Sequence, residues 1–236
     1  MGRNAQRLEE IATHCRAAGA QVTLCHVDVK ERDPMREALF TYDAAHPIDL
    51  LIANAGISAG AGGEDGTESE AQVREVFAVN IEGVLNSVLP VLPLMQKRRK
   101  GSVALMSSLA GLRGLPNCPS YSASKMAVRG LGEGLRGTYG PHGVKVSVIC
   151  PGYIHTPMTN ANNFPMPLLM DAEKAARIIQ RGIAFSRARI AFPLALYLPL
   201  WLLTCLPVAW TDRFFCALPR KSPLNDTTNL SDGTNP

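Results

Sequence analysis

Residues 101–152 read GSVALMSSLAGLRGLPNCPSYSASKMAVRGLGEGLRGTYGPHGVKVSVICPG. Ser102 to Met106 is an apolar run of strand length, Ser120 to Tyr139 is long enough only for a helix, and Lys145 to Cys150 is apolar again. Strand, helix and strand in that order build a parallel pair, because the crossover returns the chain to the same end of the sheet. Outward from this unit the alternation repeats. Residues 5–18 carry Ala5, Leu8, Ile11, Ala12 and Cys15 at helical spacing and stop at Gly19, and Gln21 to Cys25 is a short strand. Asp33-Pro34 starts a helix with Asp33 as cap and Pro34 at its first position, and it runs to about Ala45. Ile48 to Ala53 is near-continuously apolar, as a strand buried on both faces would be. After a Gly-rich loop, helices occupy about 69–97, a further helix 171–186 and a last strand 189–192. The fold class is therefore α/β, a doubly wound parallel sheet covered by helices, although the chain opens on a helix rather than on a strand and Gly-rich turn.

With 236 residues, 46% hydrophobic and 19% charged, the chain holds one domain or one and a half and a sizeable core. The net charge of +4 is mild. The run Lys97-Arg98-Arg99-Lys100 has no interleaved aromatics and reads as a solvated helix end, so no nucleic-acid partner is expected. Cys15, Cys25, Cys118, Cys150, Cys205 and Cys216 form no CxxC pair, which points to buried thiols and a reducing, cytoplasmic compartment. His14, His26, His46, His142 and His155 have no ligand spacing, so no metal site is expected. The polar, helix-patterned N-terminus carries no secretory signal, and Gln6 stands where a myristoylation motif wants Ser or Thr.

The chemistry-bearing pattern is Tyr121-x-x-x-Lys125. Residues four apart share a helix face, so phenol and ammonium point into one space, and the cation favours phenolate. With five Tyr and seven Lys this spacing arises by chance about 0.15 times, and a Ser thirteen residues earlier cuts that to about 0.01. That serine is Ser108, at the end of a buried strand; Ser107 beside it reads as structural. Asn80, in Val79-Asn80-Ile81-Glu82-Gly83, is a poor helix-interior residue placed inside a helix.

These residues resemble the short-chain dehydrogenase/reductase family. The matching set is Asn54-Ala55-Gly56 after a strand, Asn80, Ser108, Tyr121-x-x-x-Lys125 and Pro151-Gly152-Tyr153-Ile154-His155-Thr156 after the next strand, in the family's order over residues 3–192. The resemblance implies a Rossmann-like fold and a nicotinamide cofactor. It makes Tyr121 the general acid/base, Lys125 the group that lowers the Tyr121 pKa and holds the nicotinamide ribose, Ser108 a hydrogen-bond donor to the substrate oxygen and Asn80 the anchor of a relay water. Asn54, Ala55 and Gly56 would line the cofactor, with Pro151, Gly152 and Ile154 along the same cleft and Thr156 at the carboxamide. Asp28, followed by Val29, matches the acidic residue at the adenine amine. Arg3 falls just past the end of the family's second strand, where a guanidinium suits a 2′-phosphate; the cofactor expected is therefore NADP, with NAD as the alternative.

The family's first strand and TGxxxGIG turn have no counterpart in the sequence, so the resemblance is to a member truncated at its N-terminus. Gly132-x-Gly134-x-x-Gly137 fits GxGxxG only by letters: it follows no strand, and its small residues read as permitting close helix packing. The Gly60–Gly63 cluster does not complete the pattern either. Two readings follow: an oxidoreductase interconverting a carbonyl and a secondary alcohol, or a catalytically inactive remnant acting through protein or membrane contacts.

Three regions are expected: the Rossmann-like domain over 1–192, a hydrophobic lid or membrane-associating segment over 193–220, and a polar disordered tail over 221–236. Ile190 to Thr211 is uncharged, with Phe192, Tyr197, Trp201 and Trp210 among leucines. A lid or subunit contact in a homo-oligomer, a peripheral membrane contact through 193–211, and a bilayer span all stay open, although Pro193, Pro199 and Pro207 disfavour the span. Each version favours a small apolar carbonyl or alcohol substrate.

Overall fold

Along β3 (Val144–Pro151) the side chains alternate between two cores. Val144 and Val146 enter a cluster with Val103, Leu105, Val88, Leu92, Met95 and Val128, whereas Ile149 enters another with Ala104, Ala175, Ile190 and Phe192. Successive strand residues point to opposite faces, so a sheet covered on both sides buries nearly the whole strand; only Lys145, near its start, is exposed, and Ser147 is buried among the apolar residues. The sheet is parallel throughout, in the order β1 (Leu50–Ala53), β2 (Gly101–Met106), β3, β4 (Arg189–Phe192). The computed structural model describes residues 1–61, 66–160, 162 and 164–217, so the tail expected over 221–236 and the glycines Gly62 and Gly63 lie outside the described residues.

The helices are α1 (Ala5–Ala17), α2 (Arg32–Ala45), α3 (Glu70–Phe77), α4 (Gly83–Val88), α5 (Leu92–Arg98), α6 (Pro119–Tyr139), the single turn α7 (Pro157–Asn160), α8 (Ala172–Ala184), α9 (Leu194–Thr204) and α10 (Val208–Cys216). Asn4 caps α1 by accepting the Arg7 N–H at 2.8 Å, and Ser69 caps α3 through the Gln72 N–H. Helix α6 approaches the sheet closely because position 132 lacks a side chain: a Cβ there would lie 2.5 Å from Val148 Cγ2. That packing role holds for Gly132 alone, since a Cβ at Gly134 or Gly137 meets nothing within 4 Å.

Several expectations need correction. Gln21 to Cys25 is not a strand; only His26 makes a parallel bridge, to Gly2. Asp33 does not cap α2, which begins a residue earlier at Arg32 after Glu31. The segment 48–53 is not buried on both faces. As β1 it is the edge of the sheet, and Leu50 and Ile52, which share one face, are 44% and 46% exposed, whereas Leu51 and Ala53 pack into the core on the other face. The thiols are not uniformly buried either: Cys118 and Cys150 are, but Cys205 and Cys216 are exposed, and all six are free. The uncharged run 190–211 is no single span, being divided into β4, α9 and α10.

The basic run 97–100 is likewise more than a solvated helix end. Arg98 reaches back to the buried Asp43 of α2, its Nη1 and Nη2 donating to the two carboxylate oxygens at 2.5 and 2.9 Å. Burial alone would raise the Asp43 pKa, but the Arg98 hydrogen bonds, the Ile48 N–H and the Arg98 charge outweigh it and hold the carboxyl below its ordinary value. A depressed carboxylate contributes stability above its unfolded pKa and loses it as pH falls through the folded one. Asp43→Ala should therefore cost about 3 kcal/mol at pH 7, the lower end for breaking a buried pair. In denaturant titrations that gap should shrink once the pH drops below about 4; equal stability of the two proteins at pH 7 would contradict the assignment.

Candidate active site

The site is assembled where β2 gives way to a short turn. Ser107 is buried and its hydroxyl donates to the Lys125 carbonyl at 2.7 Å, fastening α6 to the strand end. The next turn presses on the same helix: a Cβ at Gly111 would lie 2.7 Å from the Lys125 backbone, so only glycine fits. Ser108 opens that 3-10 turn, Leu109–Gly111, and its hydroxyl accepts the Ala110 N–H at 3.1 Å.

Tyr121 stands in the first turn of α6, hydrogen-bonded to the side chains of Ser108 and Ser58. Burial raises its pKa, the Ser108 and Ser58 hydrogen bonds lower it, and the net direction is upward, so the free protein holds a neutral phenol. Lys125, one turn on, is 4% exposed. Its Nζ lies 5.8 Å from the Tyr121 ring centroid and donates to the Met106 carbonyl at 3.0 Å. Burial outweighs a smaller opposing effect of Cys150 and pulls the ammonium down to about 8.

Asn80 sits in a π-helical turn, Ala78–Glu82, between α3 and α4. The wider turn lets a residue unsuited to helix interiors use both ends of its amide, and such turns recur at functional sites. Its Oδ1 accepts the Ile57 N–H at 2.8 Å, while Nδ2 donates to the Ile57 carbonyl and to Ser124 Oγ at 2.9 and 3.0 Å. The segment after β1 is thereby clamped to α6. Gly56 touches both groups, since a Cβ there would lie 3.2 Å from Asn80 Oδ1 and from Lys125 Nζ.

Asn80, Ser108, Tyr121, Lys125 and Gly56 thus converge, with Asn54 and Ala55 exposed beside them. Ser107 is structural, as read from the sequence. The Pro151 carbonyl ends β3 at 3.5 Å from Ser108 Oγ, and the Gly152 N–H donates to the Phe192 carbonyl at 2.7 Å. Ile154 pairs with Met170, and the Thr156 and Thr159 hydroxyls meet at 3.2 Å. Arg3 and Asp28 face each other at 3.5 Å across the Gly2–His26 bridge, and Asp28 also accepts the Lys30 N–H. Val29 packs on Gly83, its carbonyl held by Asn86. Sequence reading missed Ser58, Ser124 and Tyr153. Ser124 was within reach of it, three residues from Tyr121 on the same helix; nothing in the spacing distinguished Ser58.

The chain matches the family model for short chain dehydrogenase over residues 1–165. A relative from Myxococcus xanthus, described as an uncharacterized oxidoreductase, is 35% identical over 209 residues, covering 87% of this chain and 81% of its own. A Mycobacterium paratuberculosis short chain dehydrogenase solved bound to NAD is 25% identical, with a TM-score of 0.67 over 78% of this chain and 76% of that one. The structure of ElxO with NADP bound superposes with a TM-score of 0.70 at 22% identity, over 84% of this chain and 86% of that one. The chain belongs to the short-chain dehydrogenase family. It is an oxidoreductase with the family's Rossmann-like α/β fold.

Proposed function

We propose that this is a cytoplasmic NADP(H)-dependent oxidoreductase, working as a homo-oligomer, that interconverts a carbonyl and a secondary alcohol on an apolar substrate. The observation that carries the reading is the meeting of the Tyr121 phenol, its two serine partners and a buried ammonium in one spot. The nicotinamide end of the cofactor fits the residues present. Lys125 Nζ has one hydrogen-bond partner among the described residues, the Met106 carbonyl, so two of its three donors suit a ribose diol. The bare backbone at Gly56 opens the approach to it.

When bound, the nicotinamide supplies or accepts the hydride. In reduction the Tyr121 hydroxyl gives its proton to the carbonyl oxygen and becomes phenolate; in oxidation the phenolate takes the alcohol proton. Ser108 donates a hydrogen bond to that same oxygen. The Lys125 charge stabilises the phenolate, and Asn80, fully buried with its amide engaged by Ile57 and Ser124, holds the segment after β1 against α6 in place of the water-anchoring role that the resemblance implies. Asn54–Gly56, Pro151, Gly152, Ile154 and Thr156 line the cofactor's cleft, with Asp28-Val29 at the adenine. Tyr153, edge-on to Phe164 at 6.3 Å, favours an apolar substrate.

Arg3, paired loosely with Asp28 and 44% exposed, is the residue through which a 2′-phosphate would be preferred. The test is kcat/KM with NADPH and NADH over a panel running from small polar ketones to long-chain and alicyclic ones. A preference for NADPH and for the apolar members is expected, and Arg3→Ala should reduce the cofactor preference by about 10- to 100-fold, the worth of a charge-assisted hydrogen bond. A clear preference for NADH, or for small polar ketones, would overturn the corresponding part. No turnover by a folded chain that also fails to bind NADPH would favour the inactive reading.

A further inference from the structure

Helix α9 is apolar around its whole circumference, yet none of its residues is buried. Its inner face carries Leu196, Tyr197 and Leu200, which pack on Leu109, Leu112, Val148 and Cys150 behind the candidate site. Its outer face carries Leu194, Leu198, Trp201 and Leu202, at positions i, i+4, i+7 and i+8, all exposed. Leu206, Val208, Trp210 and Phe214 extend this surface over the turn and α10, and Trp210 is 75% exposed. A helix without a polar face is ordinarily covered by something.

The polar side chains of the segment are already engaged. Thr204 and Cys205 turn back on the Trp201 carbonyl, Thr211 on the Val208 carbonyl, and the Tyr197 hydroxyl accepts from Arg189. The surface thus offers the indole N–H groups and hydrocarbon, whereas a protein interface carries roughly one hydrogen bond per 100–200 Å² within a polar rim. Both tryptophans of the chain are on it, and indoles prefer the headgroup level of a bilayer. The flanking charge is basic. Asp212 is neutralised by Arg113 at 2.7 Å, leaving Arg213 exposed, with Arg220 and Lys221 following in the sequence. At 1.5 Å per residue the 11 residues of α9 extend about 16 Å, half of a hydrocarbon core of about 30 Å.

We propose that α9 and α10 form a docking surface that lies in the headgroup layer of an anionic lipid bilayer without crossing it. Arg113, stacked on the buried Phe215 and paired with Asp212, ties this surface to the turn after Ser108, so docking sets the candidate site beside the bilayer. The surface carries this inference without the catalytic reading, and its test needs no turnover.

The experiment adds vesicles of phosphatidylcholine, with or without phosphatidylglycerol, to the full chain. Tryptophan emission should shift to shorter wavelength and the protein should sediment with the vesicles, more weakly with neutral ones and at high salt. Trp210→Ser and Leu202→Gln, both at exposed positions and each checked for an unchanged circular dichroism spectrum, should each weaken sedimentation by about tenfold. Unchanged emission and no sedimentation would overturn the proposal. So would emission that follows protein concentration rather than lipid, together with a dimer in analytical ultracentrifugation, because a second copy would then cover the face.

Discussion

Replacing Tyr121 by Phe is expected to lower turnover by about 100- to 10,000-fold, the usual worth of a positioned general acid. The affinity for NADPH, read from the fluorescence of the bound nicotinamide, should stay essentially unchanged. The substitution keeps the ring, its place in the first turn of α6 and the neighbouring Lys125, and removes only the transferable proton. It also leaves Ser108 and Ser58 without the phenol as a partner, although the Ser108 hydroxyl is proposed to bind the substrate oxygen. Ser108→Ala should cost less, because it loses one hydrogen bond to that oxygen and not the proton itself. Full activity in Tyr121→Phe would remove Tyr121 from the mechanism. Loss of NADPH binding in step with turnover would make it a structural residue.

The wild-type pH profile belongs to the same prediction. With its pKa raised by burial, Tyr121 is protonated across the neutral range, the form that reduction requires. Reduction should therefore hold steady through pH 7, while oxidation, which needs the phenolate, should gain as pH rises.

How far the sequence carried the reading depended on whether a signal was local. The strand 189–192 and the helix begun at Pro119 announce themselves by apolar runs and breakers within a few residues. The catalytic candidates were legible for the same reason, since Tyr121 and Lys125 are one helical turn apart and Ser108 follows closely on the end of the preceding strand. Asn80 stood out as a misfit inside a helix, though only the structure reveals the π turn that accommodates it. Long-range partners escaped. Nothing local says that Arg98 leaves its basic run for Asp43, fifty-five residues away, or that Ser58 reaches Tyr121. The exposure of Leu50 and Ile52 was invisible because periodicity reports which residues are apolar, not whether anything packs on the face they share. The reverse holds at α9. There the apolar run was plain in the sequence, but its division into a packed face and a bare one depends on where the helix rests.

The second large effect is expected at Lys125, and it separates activity from stability. In the ligand-free protein burial holds the ammonium at about 8, against 10.5 for an ordinary lysine. Between these values the unfolded chain binds more protons than the folded one, so stability rises with pH, and at pH 7 the buried charge costs about 3 kcal/mol. Lys125→Met keeps the length of the side chain and removes the charge, giving up about 1 kcal/mol for the hydrogen bond to the Met106 carbonyl. The variant should therefore be more stable than the wild type by about 2 kcal/mol at pH 7, with the gap narrowing towards pH 10 as the wild-type ammonium deprotonates. Its turnover should fall at least as far as that of Tyr121→Phe. NADPH should also bind more weakly, because one residue is proposed to serve both phenol and ribose. Denaturant titrations at pH 7 and pH 10, beside a kcat and KM determination, read all three. A variant that is inactive and also less stable than the wild type would mean that Lys125 holds the fold rather than the chemistry. One that is more stable and still turns over normally would remove it from the site.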